Sequence, residues 1–126
     1  MWYAAHVVMI FRYCEGKQTK FPVQENVYLI EAPSSAEAQR IAVDIGRKEG
    51  SYEKPSAIFE DVPVRLAFAG VRKVVECLPA DKLETGTELT YTEYLVDSEE
   101  ALERLLDGDE VRVTIRDFSE DAPPTI

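Results

Sequence analysis

The first thirteen residues alternate in a way that constrains the fold more than any other feature of the chain. Every odd position from 3 to 13 is apolar or aromatic. These positions are Tyr3, Ala5, Val7, Met9, Phe11 and Tyr13. Because successive side chains of a strand point to opposite faces, this period of two predicts a β-strand with one buried face. The even positions are only mildly polar, so we expect the second face to be partly covered and the strand to be central in its sheet.

A second strand and a helix follow from the next segment. Glu25 to Ala32 is predicted as a short strand, and a hairpin is the simplest connection to the first strand. Ser34 and Glu37 have the capping-box spacing, in which side chains satisfy the free amides of a helix start. Four apolar residues then share one helical face: Ala38, Ile41, Ala42 and Ile45. We expect this helix to end between Gly46 and Gly50.

The segment from Val62 to Leu78 is predicted as a long strand whose apolar face changes phase. Before Gly70 the apolar residues fall on even positions, and beyond it they fall on odd positions. A one-residue β-bulge produces such a change, and glycine adopts the unusual backbone most easily. We therefore predict a bulge or bend at Gly70, with two separate strands as the alternative. The preceding stretch, Ser51 to Asp61, is predicted as a loop.

The C-terminal third is predicted to form a strand, a helix and a last strand. Leu89, Tyr91 and Leu95 mark one face of the first of these strands. The helix begins after Asp97 or Ser98 and ends at Gly108. Its apolar stripe consists of Ala101, Leu102, Leu105 and Leu106. The last strand is marked by the alternating residues Val111, Val113 and Ile115.

These elements predict an α+β fold with the order β-β-α-β-β-α-β. We expect an antiparallel or mixed sheet of about five strands with two helices on one face, because each helix has a single apolar stripe. The length of 126 residues fits one domain. We assign residues 1–118 to a single α+β domain and residues 119–126 to a flexible, acidic, proline-containing tail.

The negative charge of the chain is concentrated in its last third. The sequence has 24 Asp and Glu and 14 Lys and Arg, a net charge of -10. Residues 1–80 contain ten of each sign, so the whole excess lies in residues 81–126. This segment would repel a phosphate backbone, which argues against nucleic-acid binding. A solvated, solubilising surface and a site for a basic partner are the two interpretations left.

The cysteines and the apolar N-terminal run carry no sign of export or membrane insertion. Cys14 and Cys77 are far apart and lack the close pairs that ligate zinc or form a redox motif, so we expect reduced thiols in a cytoplasmic protein. The run from Ala4 to Phe11 has no basic segment before it. It is also much shorter than the roughly 20 apolar residues that span a bilayer.

Four residues are candidates for a ligand site or an interface, and none is assigned a catalytic, metal-binding or cofactor-binding role. His6 is the only histidine, and a packed side chain is the competing interpretation. Glu93 lies on an apolar strand face, where a structural ion pair with Arg65, Arg72 or Lys73 competes with an acid-base role. Trp2 and Tyr91 are aromatic residues that either pack together across strands or form an interface.

Several short motifs together resemble a known family. They are Trp2-Tyr3-Ala4-Ala5, Tyr28-Leu29-Ile30-Glu31-Ala32, Ser35-Ala36-Glu37-Ala38, Gly46-Arg47, Phe68-Ala69-Gly70-Val71 and Gly86-Thr87-Glu88. With these motifs the chain resembles the bacterial domain-of-unknown-function family 4288 over nearly its whole length up to the acidic tail. The resemblance implies a small bacterial α+β domain without an established activity. It assigns a role to no residue.

Three functional hypotheses remain at this point. The leading one is a non-enzymatic interaction module that forms a homodimer by burying the second face of the first strand. The second is an inhibitor or immunity-type protein whose acidic C-terminal half binds a basic partner. The third is a small enzyme or ligand-binding domain that uses His6 and Glu93. The sequence favours the two non-enzymatic hypotheses, because it contains no motif of a catalytic nucleophile.

Overall fold

The computed structural model of the chain describes residues 1–50, 54–77 and 83–116. The chain divides into two compact units, Met1–Thr90 and Tyr91–Ile126. The predicted tail, residues 119–126, lies outside the described residues, as does Leu78 at the predicted end of the long strand.

The first unit contains a four-stranded antiparallel sheet and one helix. Its elements are β1 (Trp2–Tyr13), β2 (Val23–Glu31), α1 (Ser35–Glu49), β3 (Ala57–Phe59) and β4 (Val62–Glu76). The strand order is β2-β1-β4-β3, so β1 is central, as its sequence pattern predicts. Strand β3 falls in the segment that was predicted as a loop. It forms because the chain turns back at Glu60 and Asp61, whose φ angles of 49° and 64° are positive, and pairs with β4.

The core of the first unit lies between the odd face of β1 and helix α1. Tyr3, Ala5, Val7 and Met9 are buried there against Ala38 and Ala42 of the helix. Residues of β2 and β4 complete the same cluster, among them Ile30, Leu66, Phe68 and Val74. The predicted buried face of the first strand is therefore confirmed for residues 3–9. Ala4 and His6 on the even face are also buried, so β1 is covered on both faces over this stretch.

Strand β4 is continuous and has two irregularities where the sequence predicts one. The pairing with β1 shifts between Gly70 and Phe68, which confirms the predicted bulge. A second shift lies between Lys73 and Val71, which leaves Arg72 as an extra residue. This second bulge reverses the phase again, so that Val74 rather than Val75 packs against the core beneath α1. The extra residues of the two bulges, Ala69 and Arg72, are only three positions apart, and the second bulge restores the phase that the first one changes, so alternation along the sequence conceals it.

Helix α1 confirms the predicted cap and apolar stripe. The Ser34 hydroxyl accepts a hydrogen bond from the Glu37 amide at 3.2 Å, which satisfies one free donor of the first turn. The helix ends at Glu49, within the predicted range of Gly46 to Gly50, and Gly46 lies in its last turn. Its Cα faces the Phe68 ring and Val7 so closely that a Cβ would collide with the ring. Glycine at this position therefore permits close contact between helix and sheet.

The second unit contains a two-stranded antiparallel sheet and one helix. Strand β5 (Glu93–Leu95) pairs with β6 (Thr114–Arg116), and α2 (Glu99–Asp107) lies between them in sequence. Ser98 is the N-cap of α2, and Gly108, with φ 83°, is its left-handed C-cap. Both predicted helix ends are therefore confirmed. The two strands are shorter than the sequence pattern indicates.

The prediction of one sheet of about five strands is wrong in detail. The strands divide into a four-stranded and a two-stranded sheet, and α1 packs on the four-stranded sheet. The placement of both helices on one face stays a prediction. The segment around Leu89 does not form a strand because its polar groups bond to other partners. The Leu89 carbonyl accepts a hydrogen bond from the Cys77 thiol, and the Thr90 hydroxyl bonds to His6. In the described part of the chain, no helix is long and apolar enough to cross a membrane.

Candidate functional site

The most unusual polar feature of the first unit is a buried histidine with a partner on each ring nitrogen. His6 has 1% of its surface exposed and lies on the even face of β1. Its Nδ1 is 2.7 Å from Glu25 Oε2, and its Nε2 is 2.5 Å from Thr90 Oγ1. A buried imidazole is stable only when its polar atoms are hydrogen-bonded, and here both nitrogens are satisfied.

Arg72 holds the carboxylate of Glu25 from the other side. Its Nε donates to Glu25 Oε1 at 2.6 Å, and its Nη2 donates to Oε2 at 2.9 Å. This two-point contact is the strongest common geometry for an arginine and a carboxylate. The hydrogen bonds from Arg72, and to a lesser extent those from His6, lower the pKa of Glu25 to about 2 against the opposing effect of burial. Glu25 is therefore ionised at neutral pH.

Strand register and the second bulge bring these side chains together. His6 pairs with Val27 on β2 and with Lys73 on β4, and the next residue on the same face, Val8, pairs with Glu25. Glu25 is thus a diagonal neighbour of His6. Arg72 is the extra residue of the bulge beside Lys73, and its side chain reaches across β1 to Glu25. A bulge redirects a side chain in this way. Together, His6, Glu25, Arg72 and Thr90 form what we call the His6 cluster.

The charge of Glu25 decides where the protons of the His6 cluster lie. An ionised carboxylate can only accept hydrogen bonds, so His6 Nδ1 must carry a proton that it donates to Glu25. His6 Nε2 is hydrogen-bonded to the Thr90 hydroxyl, which is the donor whenever Nε2 carries no proton. A hydroxyl, an imidazole and a carboxylate in this order form a path along which a proton can leave the hydroxyl.

The four residues that the sequence singles out belong to two different units. Trp2 and His6 lie on the same face of β1 in the first unit, with Trp2 half-buried beside Glu31. Tyr91 and Glu93 belong to the second unit. Tyr91 is exposed, whereas Glu93 is half-buried with one carboxylate oxygen, Oε2, that is buried without a hydrogen-bond partner in the described residues. The joint use of His6 and Glu93 stays a prediction.

The sequence interpretation missed the partners of His6. Arg72 was considered as a partner for Glu93, but its carboxylate partner in the structure is Glu25. One signal for Glu25 was available, because it interrupts the apolar row Val23, Val27 and Leu29 on one face of β2. Thr90 offered no signal, since it lies in an irregular segment 84 residues from His6. Within residues 1–50, 54–77 and 83–116, no cluster of His, Cys, Asp or Glu could hold a metal ion.

The comparison with protein families agrees with the motifs in the sequence. Residues 2–91, well over half of the chain, match the model of a family described as Domain of unknown function (DUF4288). The chain belongs to the DUF4288 family. This confirms the resemblance over residues 2–91; its extension to the acidic tail and a bacterial origin stay predictions. The DUF4288 match includes every member of the His6 cluster and ends at the junction between the two units. No curated protein and no solved structure matches the chain.

Proposed function

We propose that the chain is an interaction module that self-associates through β2. The observation that carries this proposal is a row of apolar side chains exposed on this edge strand. Val23, Val27 and Leu29 are 59%, 46% and 43% exposed and lie on the same face as His6. The sequence predicts that the uncovered apolar surface lies on β1. In the structure Ala4 and His6 of β1 are buried, and the exposed apolar side chains of this sheet face lie on β2 instead.

Strand β2 also has few of the features that prevent edge strands from pairing. It is nine residues long, and its sequence contains no proline, lysine or arginine. Natural edge strands are usually short or carry such residues to discourage association. The carboxylate of Glu25 does not protect this edge from pairing, because Arg72 and His6 compensate its charge. The opposite edge strand, β3, has only three residues.

A second copy of the chain is the partner that fits this edge best. An antiparallel strand can pair with its own copy across a two-fold axis, which makes both halves of the interface identical. Residues 1–90 contain 13 acidic and 11 basic residues, whereas residues 91–126 contain 11 acidic and 3 basic ones. Electrostatic repulsion between two copies of the first unit is therefore weak. Because β2 belongs to this unit, charge does not oppose pairing through β2.

Solution mass and one charged substitution test the proposal. We expect the whole chain at micromolar concentration to have twice the monomer mass of 14.2 kDa in sedimentation equilibrium. Val27→Lys should give the monomer mass, because pairing of two β2 strands would bury the charged lysine side chain at the interface. Ile58→Lys is the matched control, since Ile58 is 75% exposed on the opposite edge strand and should leave the dimer intact. A monomeric wild type, or a Val27→Lys variant as dimeric as the control, would refute the proposal.

An acidic inhibitor of a basic partner remains the second candidate function. Its support is the exposure of six acidic side chains of the second unit: Glu99, Glu100, Glu103, Asp107, Asp109 and Glu110. Leu102 and Leu106 of α2 are exposed beside them, which adds an apolar contact surface. A partner bound in this way should dissociate as ionic strength rises, because exposed charges are screened. Binding that is indifferent to salt would exclude this mode.

A further inference from the structure

The His6 cluster has a geometry that self-association does not use. The Thr90 hydroxyl bonds to one imidazole nitrogen, the Glu25 carboxylate bonds to the other, and Arg72 fixes the carboxylate. These contacts satisfy both nitrogens of the buried imidazole, and a hydroxyl on one side with an ionised carboxylate on the other is also the arrangement that activates a nucleophile. Thr90 is half-buried at the end of the first unit, whereas His6 beneath it is fully buried.

We propose that Thr90 is a nucleophile activated by His6 and that the site cleaves carboxylic esters of small acyl groups. A nucleophilic hydroxyl requires a base within hydrogen-bond distance and a third group that orients the base. His6 and Glu25 meet both requirements. Arg72 is a positioning residue that keeps Glu25 ionised and in place. The acyl group must be small because the Thr90 side chain is half-buried and its own methyl group crowds the hydroxyl.

The reaction needs only the ester and water as reactants. Thr90 Oγ1 forms a bond to the ester carbonyl carbon while its proton passes to His6 Nε2, and the Glu25 carboxylate stabilises the resulting imidazolium. The bond to the alcohol oxygen then breaks, and His6 returns the proton to the departing alcohol. Water, deprotonated by His6, attacks the acylated Thr90. The acid is released, and the proton returns to the Thr90 oxygen.

A covalent probe identifies an activated hydroxyl directly. A fluorophosphonate forms a bond from phosphorus to the attacking oxygen and releases fluoride. We expect the folded wild-type chain to gain one probe mass, located at Thr90 by peptide mass spectrometry. Thr90→Ser should be labelled at the same position, since it keeps the hydroxyl. Thr90→Val should lose the label; circular dichroism checks that this variant folds, because valine leaves the buried Nε2 of His6 without a hydrogen-bond partner. Thr92→Val is the matched control and should be labelled like the wild type.

Turnover of p-nitrophenyl acetate supplies the second measurement. Exposed thiols and amines, including Cys14, react slowly with this ester, so the relevant quantity is the difference between wild type and Thr90→Val. We expect the wild type to turn over the ester faster than Thr90→Val. His6→Gln, where circular dichroism shows that it folds, should lose at least about 100-fold of this Thr90-dependent rate, the usual contribution of a general base. Labelling absent from Thr90, or equal turnover by Thr90→Val and wild type, would overturn the proposal and leave His6 and Thr90 as a structural contact.

Discussion

The ionised state of Glu25 should make a measurable, pH-dependent contribution to stability. The pKa of this carboxyl is lowered from 4.5 to about 2 in the folded chain, chiefly by the hydrogen bonds of Arg72. At 1.36 kcal/mol for each pKa unit, the difference corresponds to about 3 kcal/mol. Because about a quarter of the side chain is exposed to solvent, this figure is an upper value. It is still a large fraction of the stability of a typical domain.

The sign of the effect follows from the direction of the pKa shift. A carboxyl whose pKa is lower in the folded state stabilises that state when ionised. This contribution is complete above the unfolded pKa of 4.5 and is lost as the pH falls through about 2. Glu25→Gln imitates the protonated side chain, so the variant should be less stable by up to about 3 kcal/mol at pH 7. The difference from the wild type should approach zero near pH 2.

Urea unfolding followed by the fluorescence of Trp2 measures this difference across the pH range. Glu37→Gln is the control, because Glu37 pairs with Arg40 on the exposed surface of α1, where solvent screens the charges. It should change the free energy of unfolding much less than Glu25→Gln. The electrostatic account of the His6 cluster would be refuted if Glu25→Gln lowered the free energy of unfolding equally at every pH. It would also be refuted if this decrease were no larger than that of Glu37→Gln.

Two further predictions concern packing. Gly46→Ala should destabilise the chain by about 1–3 kcal/mol in urea unfolding, although alanine favours helices, because its Cβ would collide with the Phe68 ring. A Gly46→Ala variant that is more stable than the wild type would show that α1 can shift away from the four-stranded sheet without a loss of stability. Cys14 is exposed, whereas Cys77 is buried and burial raises the pKa of its thiol, so in native buffer a thiol reagent should modify Cys14 and spare Cys77. Equal rates of modification would contradict the burial of Cys77.

Local features of the fold were predictable wherever one segment carries its own signal. The alternation of β1 predicts a strand, and its apolar second face correctly predicts a central position. The caps at Ser34, Ser98 and Gly108 follow from side chains and backbone within a few residues. The bulge near Gly70 was also predictable because it changes the phase of a long apolar pattern. Each of these signals depends only on neighbours in sequence.

Features that depend on distant residues were not predictable in the same way. The second bulge at Arg72 is concealed because it restores the phase that the first one changed. The division into two sheets depends on where residues 83–90 find hydrogen-bond partners, and those partners, Cys77 and His6, lie far away in the sequence. Glu93 was predicted as the unusual carboxylate, but nothing within its own strand could show that Glu25 is the partner of Arg72.

The sequence by itself determined that the chain is an α+β protein with a central first strand, two capped helices, acidity confined to its last third and membership of the DUF4288 family. The tertiary structure decided that the only histidine is bonded to both a glutamate and a threonine, and that the exposed apolar row lies on β2. The physical reason is that periodicity and capping are local, whereas a hydrogen-bonded cluster requires three strands and an irregular segment to be aligned in register before its side chains meet.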